Sequence, residues 1–189
     1  MKKILLTLAA LTIMTSVTMA APVTNLQKGQ SVAGYTYWNP DVTLASYDFG
    51  NTDANGLYAE TGLNENVAIG FETTSGNIYG LDTRFTDVTL KNKLSENFQL
   101  IVGNRSYDTS YGSYSYTTNK FMYGLGAFTD LGNNATAYAS ILHSDIADDF
   151  QIGVNYKVSK EIALNLNYRD YSEDDFSLKG VGLGASYNF

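Results

Sequence analysis

The residues of this 189-residue chain that could do chemistry are few, and the most suggestive are consecutive: His143, Ser144 and Asp145 have the types of a base, a nucleophile and an orienting acid. Neighbours along a strand point to opposite faces, so these three cannot form a relay among themselves. His143 is the chain's one histidine, so no His pair at metal-binding spacing exists. A Gly-x-Ser-x-Gly turn, a phosphate loop and EF-hand spacing are also missing, and the absence of Cys excludes thiolate chemistry. The residues therefore assign no catalytic, cofactor-binding or metal-ligating group. A lipid- or peptide-hydrolysing enzyme stands behind the non-enzymatic readings.

Charged residues scattered among apolar ones form the second candidate set. Glu60, Glu72, Arg84, Arg105, Lys157 and Arg169 alternate with apolar neighbours, which puts them on the polar face of strands. With Asp82, Lys91, Lys93, Asp130 and Lys179 they give a polar interior of seven basic and four acidic groups, a modest positive excess. The segments between strands have the opposite sign. Residues 39–53, 76–79, 108–118, 144–149 and 172–176 hold Asp41, Asp48, Asp53, Asp108, Asp145, Asp148, Asp149, Glu173, Asp174 and Asp175, and no Lys or Arg. Within 108–118, Tyr111, Tyr114 and Tyr116 are interleaved with Ser, Thr and Gly, the mixture used by binding loops because Tyr gives a large contact area at little entropic cost. These three are the candidate ligand-binding residues.

Strands must position these groups, because the apolar residues recur at every second place. Val67, Ile69 and Phe71 oppose Ala68, Gly70 and Glu72; Phe150, Ile152, Val154 and Tyr156 oppose Gln151, Gly153, Asn155 and Lys157; Ile162, Leu164, Leu166 and Tyr168 oppose Ala163, Asn165, Asn167 and Arg169. The alternation breaks near Asp87, where Leu81, Thr83 and Phe85 give way to Val88 and Leu90, and a β-bulge at Thr86 would restore it. From Ala135 to His143 the register is ambiguous, with Ala137, Ala139 and Ile141 competing with Tyr138 and Leu142 for the apolar face. A repeated short turn separates the strands at Leu63–Val67, Leu94–Phe98, Leu131–Ala135 and Val158–Ile162. Four such turns and five longer loops predict ten strands, with eight as the alternative and residues 39–56 as the least certain stretch.

The two ends say which solvent the apolar face meets. Lys2 and Lys3 precede an apolar run from Ile4 to Val17, and Thr18, Met19 and Ala20 supply a cleavage site, so residues 1–20 read as a signal peptide and 21–189 as the mature barrel. The run is shorter than the ~20 apolar residues that cross a bilayer as a helix. At the other end Val181, Leu183, Ala185, Tyr187 and Phe189 share one face. This ending resembles the C-terminal assembly signal of Gram-negative outer-membrane β-barrels, a terminal Phe with Tyr two residues before it and apolar residues stepping back by twos. The resemblance implies an all-β fold, a transmembrane antiparallel up-and-down barrel, exported through the periplasm to the outer membrane. The chain is similar to the small porin-like barrels that lack a peptidoglycan-binding domain.

That resemblance orients the rest. Short turns face the periplasm, and the acidic, Tyr-rich loops face outward. The implied partners are outer-membrane lipid and lipopolysaccharide, the barrel-assembly machinery and an extracellular ligand, with the barrel acting as a monomer. Removing Lys2 and Lys3 leaves ten Lys and Arg against nineteen Asp and Glu, a formal charge of minus nine that disfavours nucleic acid. The acidic crown suggests divalent cations bridging it to lipopolysaccharide phosphates. The leading function is structural or surface-interacting; a narrow channel for small ions is the alternative, with Gly124, Gly126, Gly153, Gly182 and Gly184 lightening the lumen wall.

Overall fold

The computed structural model describes residues 22–78 and 80–189. The expected signal peptide, residues 1–20, lies outside the described residues, as does position 79 of the second expected outer loop. Eleven strands run antiparallel: β1 Ser31–Leu44, β2 Tyr47–Asn51, β3 Ala54–Gly62, β4 Val67–Ile78, β5 Leu81–Lys93, β6 Phe98–Tyr111, β7 Tyr114–Gly132, β8 Ala135–Ser144, β9 Asp148–Lys157, β10 Ile162–Glu173 and β11 Phe176–Asn188. Ten of them close a ring. Each pairs with its sequence neighbour, and β11 pairs with β1 from Val32 opposite Asn188 to Leu44 opposite Phe176. The eleventh, β2, pairs only with the outer part of β1 and folds back above the ring.

The four periplasmic turns fall at the repeated sequence. Three share one hydrogen-bond pattern, in which the first two amides donate to the carbonyl that opens the next strand: Leu63 and Asn64 to Val67, Leu94 and Ser95 to Phe98, Val158 and Ser159 to Ile162. Asn64, Ser95 and Ser159 hold the turn by accepting backbone N–H groups with their side chains. The fourth turn uses Asn133 and Asn134 at positive φ instead, which Asn tolerates better than most residues.

Side-chain parity decides what each face meets. Ile69, Phe71, Val88, Leu90, Leu100, Leu125, Ile152, Val154, Leu164, Leu166, Val181 and Leu183 are exposed on the outer wall, while their neighbours Gly70, Asp87, Lys91, Ile101, Gly126, Gln151, Asn165 and Asn167 are buried. An apolar exterior around a charged interior suits a barrel standing in lipid and is the reverse of a soluble one. The protein is an all-β, closed ten-stranded transmembrane barrel of the Gram-negative outer membrane. Tyr187 and Phe189 stack at 6.2 Å on the outer wall, and Phe189 exchanges backbone hydrogen bonds with Ser31 where the ring closes.

Three expectations change. No bulge interrupts β5: Glu72 lies opposite Asp87 and Thr73 opposite Thr86 in unbroken register. The parity is instead constant along the strand. Phe85 points inward with Asp87 and Lys91, so the aromatic ring that broke the apolar pattern serves the interior. On β8 the ambiguity resolves with Tyr138 buried inside and Ile141 on the lipid face. Finally, the glycines do not open the lumen. A Cβ on Gly34 would lie 2.4 Å from the Tyr58 ring, and one on Gly153 would lie 2.6 Å from the Tyr138 ring and 2.7 Å from the Leu166 carbonyl oxygen. These glycines are hollows that seat two buried tyrosines.

Gly153→Ala is therefore expected to destabilise the barrel by about 1–3 kcal/mol, because ring and backbone must both give way. Urea titration of the refolded protein, read by its heat-modifiable gel shift, measures this; an unchanged midpoint would refute the seating of Tyr138.

Candidate functional site

The interior is filled in three layers. At the periplasmic end the segment preceding β1 folds up into the ring, and Val23 is buried against Phe128 and Tyr138. The Thr24 hydroxyl donates to Glu60 Oε1 at 2.5 Å, and Glu60 pairs in turn with Lys91. Backbone hydrogen bonds from Gly29 to Gly62 and from Gly62 to Gln30 pin this segment to β3.

The middle layer is a charge network centred on Asp149. Arg105 Nε and Nη2 grip both oxygens of Asp87 at 2.7 and 2.6 Å, and the same Nη2 lies 2.8 Å from Asp149 Oδ2. From the facing side Arg169 Nε donates to Asp149 Oδ1 at 2.7 Å and its Nη2 to Oδ2, while its Nη1 reaches Glu72 at 3.2 Å. Five strands, β4, β5, β6, β9 and β10, are thereby tied across the lumen by one chain of charges. Planar guanidinium forks match carboxylate geometry two bonds at a time, which is why Arg and not Lys occupies these places.

The outer layer is aromatic. Trp38, Val42, Tyr107, Tyr171 and Leu178 are buried together, with Ile78, Phe85, Ile146 and Phe176 packed against them. Phe85 meets Tyr107 edge-on at 5.3 Å and Tyr171 at 5.3 Å. The two layers are coupled: Arg105 lies 5.8 Å from the centre of the Tyr171 ring and Arg169 5.7 Å from that of Trp38. Between the ionic and periplasmic layers a cavity of about 40 Å³ remains, space for about three waters at most.

The charged candidates divide accordingly. Glu60, Glu72, Arg105 and Arg169 line the interior. Arg84 does not: it lies opposite Ser75 and Asp108 on the outer face, above the lipid belt, because the unbroken parity of β5 turns even positions outward. Asp82 shares that face, and Lys179 sits on the outer wall, 3.0 Å from Asp170. Lys157 keeps lumen parity but stands exposed at the periplasmic mouth. Asp149, expected in the crown, is buried at the centre. Alternation does place it inward with Gln151, and its membership of an Asp pair hid this. The expected positive excess disappears, since four buried or half-buried acids, Glu60, Glu72, Asp87 and Asp149, face Lys91, Arg105 and Arg169.

Outside, the 108–118 stretch is no loose loop. β6 and β7 pair up to Tyr111 opposite Tyr114, with only Gly112 and Ser113 between them. Tyr111, Tyr114 and Tyr116 are 64, 83 and 69 % exposed. They continue the inward parity of Arg105 and Tyr107, so above the aromatic layer they face the water over the barrel mouth. The crown acids are held locally: Asp145 by Lys120 at 2.8 Å, Asp108 by Thr117 at 2.6 Å, Asp53 by Tyr37 and Asn39. The hydrogen bond from Lys120 holds the Asp145 carboxyl below its ordinary range. Among the described residues no three Asp, Glu or His groups come together closely enough to hold a metal ion.

His143 lies on the outer wall, 2.7 Å from Asp148 and edge-on to Tyr123. Ser144 points inward, where its hydroxyl accepts the Ala147 amide at 3.0 Å. The two adjacent residues are thus on opposite faces.

No family model matches the chain, and no curated protein matches it. Solved barrels resemble it at low identity. Ail, the attachment invasion locus protein of Yersinia pestis, is 16 % identical with a TM-score of 0.43 over 86 % of this chain and 100 % of its own. The N-terminal β-barrel domain of Pseudomonas aeruginosa OprF is 10 % identical with a TM-score of 0.43 over 84 % and 97 %. The COG4313 outer membrane channel from Pseudomonas putida F1 is 10 % identical with a TM-score of 0.48 over 90 % and 99 %. These scores lie below 0.5, and the functional reading rests on the geometry of the barrel itself.

Asp149→Ala leaves two buried guanidinium groups without their shared carboxylate and is expected to cost about 3–5 kcal/mol. A urea midpoint unchanged from wild type would show that the network carries no stability.

Proposed function

We propose that this protein is a non-enzymatic outer-membrane barrel that binds an extracellular ligand through the Tyr face of its β6–β7 hairpin. One observation carries the reading: Tyr111, Tyr114 and Tyr116 stand exposed on the axial face of a paired two-stranded ribbon, where neither lipid nor the lumen covers them. Aromatic side chains left to water in a row mark interaction surfaces. The three filled layers of the lumen support a display role over transport. Catalysis has no support in the geometry, since His143 and Ser144 face opposite ways and each is engaged elsewhere.

The remaining partners follow from the surfaces. The apolar belt contacts outer-membrane lipid and lipopolysaccharide, the Val181 to Phe189 face is read by the assembly machinery, and closure of β1 on β11 leaves no open edge within lipid, in keeping with a monomer. The narrow-channel alternative predicts steady conductance.

Cells displaying the Tyr111→Ser, Tyr114→Ser, Tyr116→Ser triple variant are expected to lose attachment to the surfaces that wild-type cells bind, with the heat-modifiable shift intact. Undiminished attachment would overturn the reading. The refolded wild-type protein is expected to be silent in a planar bilayer; regular current steps would favour the channel.

A further inference from the structure

β7 rises higher than β8, and this leaves an edge on that side, while β6 and β5 climb with it on the other, Asp82 lying opposite Ser110. β8 pairs with β7 only from Met122 opposite Ser144 toward the periplasm, while β7 continues from Phe121 up to Tyr114 against β6 alone. Among the described residues no strand pairs with the other side of that stretch. At ~3.3 Å per residue it is roughly 25 Å of open sheet. Gly112, at φ 59°, is the first of two turn residues, the type II′ form that fits a two-residue hairpin loop. The pair that closes such a loop, Tyr111 and Tyr114, exchanges both backbone hydrogen bonds, so the antiparallel alternation turns the N–H and C=O groups of Ser115, Thr117 and Asn119 away from β6.

The barrel's other extracellular edge is treated differently. β2 is five residues long, its pairing with β1 shifts register between Asp41 and Thr43, and it carries Asp48 and Gly50 at φ 77°. Short length, irregularity and charge are the devices by which proteins blunt an edge. From Tyr114 to Phe121 there is no Pro, Gly, Asp or Glu. Its one charged residue, Lys120, is held by Asp145 at 2.8 Å, and a long edge whose only Lys is tied down in this way is either a hazard or a docking site.

We propose that this edge of β7 is a strand-addition site for an extended segment of another polypeptide, an inference that rests on the surface-binding reading of the same hairpin. The added strand continues the line of β8 above the β8–β9 loop, beside Asp145 and Asp148, whose side chains are 65 and 64 % exposed despite their contacts with Lys120 and His143. These carboxylates select Lys or Arg at its membrane-proximal end. Toward the barrel axis its side chains meet Tyr114 and Tyr116, which favour apolar residues; on the other face they meet Ser115, Thr117 and Asn119, which favour polar ones. A second copy of this chain brings the same acidic mouth, so charge argues for a basic heterologous partner.

The test uses the full mature protein in detergent and a synthetic peptide alternating Val and Thr with two Lys at one end. The amides of Ser115, Thr117 and Asn119 are expected to exchange freely in the protein alone and to slow at least tenfold with saturating peptide. Ser115→Pro with Asn119→Pro removes two outward N–H groups and spares both the β6 ladder and the Thr117–Asp108 bond; it is expected to abolish that protection. Exchange unchanged by the peptide, or protection that survives the proline pair, would overturn the site. Protection that appears without peptide as protein concentration rises would overturn the choice of partner in favour of self-association. Cell attachment separates the two readings: attachment lost by the Tyr→Ser variant and kept by the proline variant defeats strand addition alone, whereas attachment kept by both defeats the surface-binding reading as well.

Discussion

A backbone in lipid must find all its hydrogen-bond partners within the protein, and everything else in this barrel follows from how that demand is met. The ladder between β1 and β11, unbroken from Val32 to Leu44, closes the ring and removes every edge from the membrane. Closure imposes strict alternation on the ten ring strands. One parity belongs to hydrocarbon and is spent on Val, Leu, Ile, Phe and Tyr. The other is enclosed, and ten strands enclose more space than small side chains can fill.

The enclosed parity solves that problem with size and charge together. Large residues, Tyr58, Tyr138 and Trp38, are seated against glycine hollows or in the outer aromatic layer, and the central gap is spanned by Arg105 and Arg169 meeting on Asp149. Long guanidinium side chains reach across a lumen that no aliphatic residue could bridge, and the carboxylate between them offsets the repulsion of two cations. Trp38 and Tyr171 lie over these cations and shield them from the extracellular side. The sum is an interior with roles in stability rather than in passage.

Alternation and turn chemistry make the ten-stranded ring legible in the sequence. The lipid-facing sets on β4, β9 and β10 stand where the pattern puts them, because lipid tolerates few exceptions. The interior was less legible, since its rule is complementarity between strands distant in sequence. Nothing near Asp149 in the chain announces Arg105, forty-four positions away, or Arg169 on the next strand. Phe85 misled for a related reason: a lone inward aromatic looks like a break in register unless its partners Tyr107 and Tyr171 are known. Arg84 was misassigned with it, one place along.

Above the membrane the same parity acquires a different meaning. On β6 the inward series runs Gln99, Ile101, Gly103, Arg105, Tyr107, Thr109, Tyr111 without a shift. Gln99 to Tyr107 are enclosed; Tyr111, two residues past Thr109, stands at the tip of the hairpin beside Gly112 and is open to water. No new structural device is needed to turn a lumen wall into a displayed surface. Extending the β6–β7 hairpin past the end of β8 suffices, and it produces at once an aromatic face and an unpaired edge on β7. Which side chains are displayed is therefore set by register fixed deep in the membrane, so a one-residue slip there would turn Tyr111, Tyr114 and Tyr116 to the outer wall and bring Ser and Thr over the mouth.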